Sequence, residues 1–396
     1  MIIQNALVYQ DDFSFAPKDI CISNGFFTSE VSASSCRDTI INARGLLALP
    51  GLIDLHFHGC MGHDFCDGSQ KSLAAIASYQ ARNGITTIVP ATMTLGEDTL
   101  SRVCRTAAVF RANQTLANVW ETGADLAGIN MEGPFLSLEQ KGAQNPRYLC
   151  APDISMFERL QTASGGLIRL VDIAPESEGA MDFIDALHQN IRISLAHTTA
   201  NYDIAKKAYD HGACHTTHLF NAMPQFMHRF PGVIGAAYDS PHVYVELICD
   251  GVHLHPSTVR ITFQIFGDDR IVLISDSMRA TGLSDGTYTL GDQEVFVHGS
   301  KATLADGTIA GSVTNLTDCL RTAVNEMGIP LSSAIKCASA NPAKALGIYD
   351  QCGSITPGKV ANLILMDQKL NTQAVLLHGK FINESNKIIG EKHFEK

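Results

Sequence analysis

Eight short apolar runs recur through the middle of the chain, and they narrow the fold more than any other feature of the sequence. They read "LIDLHFH" from residue 52, "ITTIVPA" from 85, "LAGINM" from 126, "LIRLVDI" from 167, "IRISLAH" from 191, "ACHTTH" from 213, "VYVELIC" from 243 and "RIVLIS" from 270. Helical patterns fall between several of them. "SLAAIASYQARNG" puts Leu73, Ile76 and Ala77 on one face and stops at Gly84, and "NYDIAKKAYDHG" stops in the same way at Gly212. Glycine takes the left-handed turn after a helix end without a Cβ clash, so both stops are chemically sensible. Eight strands with intervening helical segments over about 300 residues match the size of a (β/α)8 TIM-type barrel. A doubly wound open sheet is the competing architecture.

The two ends read differently. "MIIQNALVY", "DICISNG" and "DTIINARG" at one end, and "GSITPGKVANLILMD" and "AVLLHGKFIN" at the other, are strand-like runs separated by turns. They predict one small β-sandwich domain assembled from residues 1–50 plus 350–396, around a barrel spanning 51–349.

With 396 residues, 45% of them hydrophobic, the chain has ample length for a large core. Its net charge of −11, without a long run of like charge, speaks against nucleic acid as a partner. It also means that an anionic substrate needs a local cationic pocket. The cysteines, Cys36 and Cys66 among them, are scattered singly without a CxxC pair, and the N-terminus shows no signal-like apolar run. Reduced thiols and a cytoplasmic enzyme are the expectation. The longest apolar stretches are strand-sized, which argues against a membrane span.

In a barrel, catalytic side chains gather at the C-terminal ends of several strands. Here His56 and His58 end the first run, Glu132 follows the third, and His197 and His218 close the fifth and sixth. Asp250 and His253 follow the seventh and Asp276 the eighth. Imidazoles and carboxylates together suit Zn2+ or Fe2+, and strand ends far apart in sequence can converge on one ion. Since side chains alternate along a strand, Asp54, His56 and His58 must share a side. They are expected to point inward, with the histidines binding metal, Asp54 accepting a hydrogen bond behind them, and Leu55 and Phe57 facing the helices. His63, His188, His211, His215, His242 and His255 lack this pattern and read as structural or surface residues.

"PGLIDLHFHG", "MEGPF", "AHT", "THLFNAMP", "DGVHLHP", "SDSM" and "TIAGS" together resemble the N-acetylglucosamine-6-phosphate deacetylase family of the amidohydrolase superfamily, in the expected order over nearly the whole chain. The resemblance implies that Glu132, His197 and His218 bind the principal divalent metal. It further implies that His56 and His58 hold a second ion, with Glu132 bridging, so that one or two ions serve each subunit. Asp276 matches the family's catalytic aspartate, a base toward water activated on the metal and then an acid toward the sugar nitrogen.

Arg229 matches an arginine that contacts the substrate's phosphate from a neighbouring subunit, which implies a homodimer. His253 and the backbone of Asn221 and Ala222 match further substrate contacts. Ile309, Ala310 and Gly311 match a segment closing over the sugar, and Ala143 and Gln144 lie on the loop beside the acetyl group. Two positions depart from the family pattern. Gln144 stands where some members carry a histidine that polarises the acetyl carbonyl, and Phe230 replaces an acidic residue common after the arginine. The competing activities are deacetylation of N-acetylgalactosamine 6-phosphate, hydrolysis of a cyclic amide, and a sugar-phosphate-binding barrel without turnover. Cyclic-amide hydrolases bridge their metals with a carboxylated lysine after the fourth strand, and "LIRLVDIAPE" offers none.

Overall fold

The computed structural model describes residues 1–29, 39–116 and 123–384. Cys36 and the charged tail beyond residue 384 lie outside them.

The central strands run parallel and pair in sequence order. Ile129–Glu132, Ile168–Ile173, Arg192–Leu195, His215–Thr216, Tyr244–Ile248 and Ile271–Ile274 form a six-stranded sheet. Leu52–Asp54, Ile85–Ile88 and Asp125–Leu126 form a three-stranded one. The run "LAGINM" is therefore two strands rather than one, each serving a different sheet. A parallel bridge between Ala91 and Asn130 joins the sheets along one seam. Along the other, the Asp276 N–H donates to the His56 carbonyl at 2.9 Å and the His58 N–H to the Ser277 carbonyl at 2.7 Å. The chain beyond the first strand thus meets the chain beyond the last.

The helical expectations hold at their ends. Gln70–Arg82 is capped by the Ser69 hydroxyl, which accepts from the Ser72 N–H, and Gly84 follows at φ 89°. Tyr202–Asp210 is capped by Asn201, and Gly212 follows at φ 118°. Leu73, Ile76 and Ala77 are buried as the spacing predicts. Leu55 joins an apolar cluster with Ile53 and with Ala343 and Ala345 of the helix Ala340–Leu346, so it does face a helix.

Strands from both chain ends build an eight-stranded sheet. Its order is Lys380–Glu384, Thr372–Leu377, Leu363–Met366, Leu47–Pro50, Ile2–Tyr9, Phe15–Ser23 and Phe26–Thr28, with Ile40–Asn42 also paired to Ile2–Tyr9. It has an apolar cluster of its own, including Ile3, Val8, Ile20, Phe27, Leu363 and Leu376. A three-stranded antiparallel sheet, Gly286–Leu290, Gln293–His298 and Lys301–Thr303, is an element that the central alternation does not announce.

One polar hub ties the central strands to the terminal sheet. Asp268, just ahead of the last central strand, accepts from Lys336 Nζ at 2.8 Å and from the Ser333 hydroxyl at 2.6 Å. Its carbonyl accepts from Asn341 Nδ2, and the Tyr9 hydroxyl of the terminal sheet donates to the Ser332 carbonyl at 2.6 Å. Burial works against the Asp268 charge, but Lys336 and Ser333 outweigh it and lower its pKa. A depressed carboxylate contributes stability above its unfolded pKa and loses it as pH falls through the folded value. Asp268→Asn is therefore expected to destabilise by about 1 kcal/mol at pH 7, given a partly solvated site. In denaturation curves, the difference from wild type should shrink as the pH is taken below about 4.

Candidate metal centre

The side chains singled out at the strand ends meet at one end of the parallel strands. Glu132 is the last residue of its strand, 2% exposed. Its Oε1 lies 3.1 Å from His197 Nε2 and 3.2 Å from His218 Nε2, and those two nitrogens are 3.2 Å apart. Its Oε2 lies 3.3 Å from His58 Nε2, which is 3.3 Å from Asp276 Oδ1. His56 Nε2 sits behind, 3.5 Å from Glu132 Oε1 and 3.9 Å from Asp276 Oδ1.

The chain turns sharply where these residues emerge. His197, His218 and Asp276 take positive φ values of 42°, 29° and 50°, a conformation that costs a non-glycine residue roughly 1–3 kcal/mol. Neighbouring hydrogen bonds hold two of them there: His218 N–H donates to Glu246 Oε2 at 3.1 Å, and Asp276 N–H to the His56 carbonyl. Gly133 turns the chain directly after Glu132 at φ 83°, where an added Cβ would fall 2.1 Å from Thr94 Oγ and 3.1 Å from Thr94 Cα. Gly133→Ala is expected to lose roughly 2 kcal/mol or more, from the left-handed backbone and the overpacking together, measurable by denaturant unfolding.

The donor set fits a cation. His197 donates from Nδ1 to the Gln140 carbonyl at 2.8 Å, which leaves a lone pair on Nε2 aimed at the shared space. His56 Nδ1 lies 3.2 Å from Glu246 Oε2, and its Nε2 is buried with no hydrogen-bond partner. Glu132, His197 and His218 could hold one ion, and His56, His58 and Asp276 a second. The electrostatics agree. Burial opposes the charged forms, yet Glu132 and Glu246 hold the His56 pKa well above its usual value, and His56, His197 and His218 hold Glu132 well below.

Above this cluster opens a cavity of about 340 Å3. His58, Glu132, Ala143, Gln144, His197, His218, Asn221, Ala222, His253, Asp276, Ile309 and Gly311 line it, as do Leu290 and Thr308. Leu290 ends the first strand of the antiparallel sheet, which therefore reaches the cavity rim.

The model of the amidohydrolase family matches residues 47–390. The chain belongs to the amidohydrolase family. It is 37% identical over 332 residues to the N-acetylglucosamine-6-phosphate deacetylase of Bacillus subtilis (strain 168), covering 84% of this chain and 83% of that one. It is 35% identical over 335 residues to the N-acetylgalactosamine-6-phosphate deacetylase of Escherichia coli O157:H7, covering 84% and 87%. Among solved structures, a mutant N-acetyl-D-glucosamine-6-phosphate deacetylase from Mycobacterium smegmatis, in complex with N-acetyl-D-glucosamine-6-phosphate, superposes with a TM-score of 0.88. It is 32% identical, over 96% of this chain and 98% of that one. These neighbours share a barrel-type amidohydrolase fold with a second domain.

Several residues of this amidohydrolase sit otherwise than the sequence predicts. Asp54 does not accept from an imidazole; it accepts from the Ser275 hydroxyl at 2.6 Å and the His56 N–H at 3.3 Å, and burial pushes its pKa up to about 7. The residue behind His56 is Glu246, whose other oxygen lies 3.0 Å from His215 Nε2. His215 is thus a buried part of this network, and Glu246, a lone carboxylate inside an apolar strand, carries no sequence signal of its role. Gln144 does not stand free toward a substrate. Its carbonyl accepts from the Thr94 N–H at 2.7 Å and its amide donates to Glu132 Oε2 at 3.0 Å.

Ala310 is buried beside the cavity wall, its N–H bound to the Ala302 carbonyl. Arg229 lies outside the cavity on an exposed turn, donating to His228 Nε2 at 2.7 Å. Asp250 turns from the cavity and fixes His253, with Oδ2 2.7 Å from Nδ1.

Partners of this kind, behind a ligating histidine, typically govern metal affinity by 10–100-fold. Glu246→Gln cannot accept from both His56 and His215, so chelator competition should show divalent-ion retention weakened by about that factor. Unchanged retention would remove Glu246 from the metal centre.

Proposed function

We propose that this chain hydrolyses the acetamide of N-acetylglucosamine 6-phosphate to glucosamine 6-phosphate and acetate. The observation that carries the reading is the meeting of Glu132, His197, His218 and Asp276 at the base of one cavity. The names of the relatives supply the substrate class. In this reading residues 51–349 are a (β/α)8 barrel carrying the site, and residues 1–50 with 350–396 are a small β-domain. The setting is cytoplasmic.

Glu132, His197 and His218 would hold the principal divalent ion, zinc or iron, with His56 and His58 holding a second. A bound divalent ion lowers the pKa of water toward neutrality and polarises the amide carbonyl. Asp276 takes the proton from the attacking water and returns it to the amide nitrogen as the carbon–nitrogen bond breaks, so that the amine departs neutral. Burial opposes the Asp276 charge, but His58 and His56 outweigh it and lower its pKa, so the residue rests in the carboxylate form that a base requires. His253, held by Asp250, binds the sugar. The backbone of Asn221 and Ala222, Ala143 with Gln144, and the segment Ile309, Ala310 and Gly311 enclose it.

None of the described residues lining the cavity is lysine or arginine. A phosphate dianion placed there needs a cation from elsewhere, which supports a homodimer in which the exposed Arg229 enters the neighbouring site. The 35% identical relative named for the galactosamine epimer keeps that substrate as a second reading.

A coupled assay on both epimeric acetylamino sugar phosphates, with metal analysis of the same sample, tests the reading; acetate release from neither would overturn it. Asp276→Asn should reduce release by about 10²–10⁴-fold at unchanged content of the ion held by Glu132, His197 and His218. Arg229→Ala should raise KM for the phosphorylated sugar while its kcat on the unphosphorylated sugar stays near wild type.

A further inference from the structure

We propose that Asp172 is a further residue of the metal centre, its unpaired carboxylate oxygen strengthening the hold on a second divalent ion at the His56 side. The inference rests on the reading of Glu132, His197 and His218 as ion-holding residues.

Asp172 is fully buried on the strand Ile168–Ile173. In register it stands beside Glu132 on one neighbouring strand and Ser194 on the other. Residues level with one another in a parallel ladder project to the same face, so the Asp172 and Glu132 carboxylates lie side by side. Oδ1 accepts from the Thr217 hydroxyl at 2.7 Å, and that hydroxyl shares a 2.6 Å hydrogen bond with Ser194 Oγ. Oδ2 is buried without any partner, as is His56 Nε2. Ligand atoms of His56, Glu132 and Asp172 all lie within 4.8 Å of one another.

The bond to Thr217 needs only one acceptor, which an amide would supply as well. What the carboxylate adds is a second oxygen that can carry charge beside a cation; without one, burial and the neighbouring Glu132 and Glu246 push its pKa well up. Glu132, Glu246 and Asp276 form ion pairs with histidines alone among the described residues, and Asp172 forms none. Among the described residues, no other fully buried carboxylate oxygen without a hydrogen-bond partner belongs to a residue grouped with both His56 and Glu132 as possible ligands.

The test compares the wild-type holoenzyme with Asp172→Asn, which keeps an acceptor for Thr217. Both are loaded with zinc, analysed for ions per chain by mass spectrometry, and titrated with chelator. The expected result is two ions in wild type, with the more weakly held one lost from the variant at about 10–100-fold lower chelator strength. The first ion should be unchanged. Thermal melting separates this from a structural role: the loaded variant should melt lower than loaded wild type, and the chelator-treated variant no lower than chelator-treated wild type.

Equal chelator resistance of both ions overturns the inference. So does a variant that melts equally low with and without zinc, or a wild type that takes up only one ion at saturation. A wild type that binds no ion at all instead overturns the underlying reading of Glu132, His197 and His218.

Discussion

One oxygen of Glu132 faces two imidazole nitrogens at 3.1 and 3.2 Å, and those nitrogens stand 3.2 Å from each other. His197 already donates from its other nitrogen to the Gln140 carbonyl, so at least two corners of this triangle are bare lone pairs. Acceptors pressed together in a dry interior repel unless positive charge lies among them. Around the triangle stand three more buried carboxylates, Asp172, Glu246 and Asp276, with no lysine or arginine paired to any of them among the described residues. Polar crowding of this kind is tolerable in a core only when a cation belongs to it.

The parallel strands deliver the crowding by register. Glu132, Asp172, Ser194 and His215 are level across four adjacent strands. The row passes from a bridging carboxylate through a partly satisfied one and a hydroxyl to an imidazole bonded to Glu246. The strand ends then turn at positive φ at His197, His218 and Asp276; Glu246 holds the His218 N–H and the His56 carbonyl the Asp276 N–H. The same seam that closes the first strand against the last also fixes His56 and Asp276 near each other. Closing the strands and placing His56 and Asp276 therefore rest on the same hydrogen bonds.

Much of this was legible before any coordinates. Polar residues that end apolar runs advertise themselves, so His56, His58, Glu132, His197, His218, His253 and Asp276 could be named from the sequence, and all of them except His56 line the cavity. The helix stops at Gly84 and Gly212 were legible because a positive φ has a residue signature. What escaped had no such signature. Glu246 and Asp172 sit inside apolar runs, where a single carboxylate reads as an irregularity; only the packed side chains bring both close to the His56 imidazole. His215 shows no pattern in the sequence because its partner lies on the next strand, and Glu246, not Asp54, stands behind His56. The third run broke into two strands because Ala127 and Gly128 carry no pattern that separates a break from a continuation.

Exposure separates the roles of the four clustered carboxylates. Asp172 and Glu246 are fully buried, Glu132 is 2% exposed, and Asp276 reaches 8% at the cavity wall. A group that shuttles a proton must meet both water and the departing nitrogen, which the two deepest carboxylates cannot do. Glu132 is occupied on both oxygens, by His197 and His218 on one and by Gln144 and His58 on the other. Asp276 Oδ1 lies 3.3 Å from His58 Nε2 and 3.9 Å from His56 Nε2, at the wall of the cavity. Its greater exposure among the four is what supports the proton-transfer role proposed for Asp276. Gln144 ties Glu132 Oε2 to the Thr94 backbone and so holds in place a carboxylate that could ligate a cation.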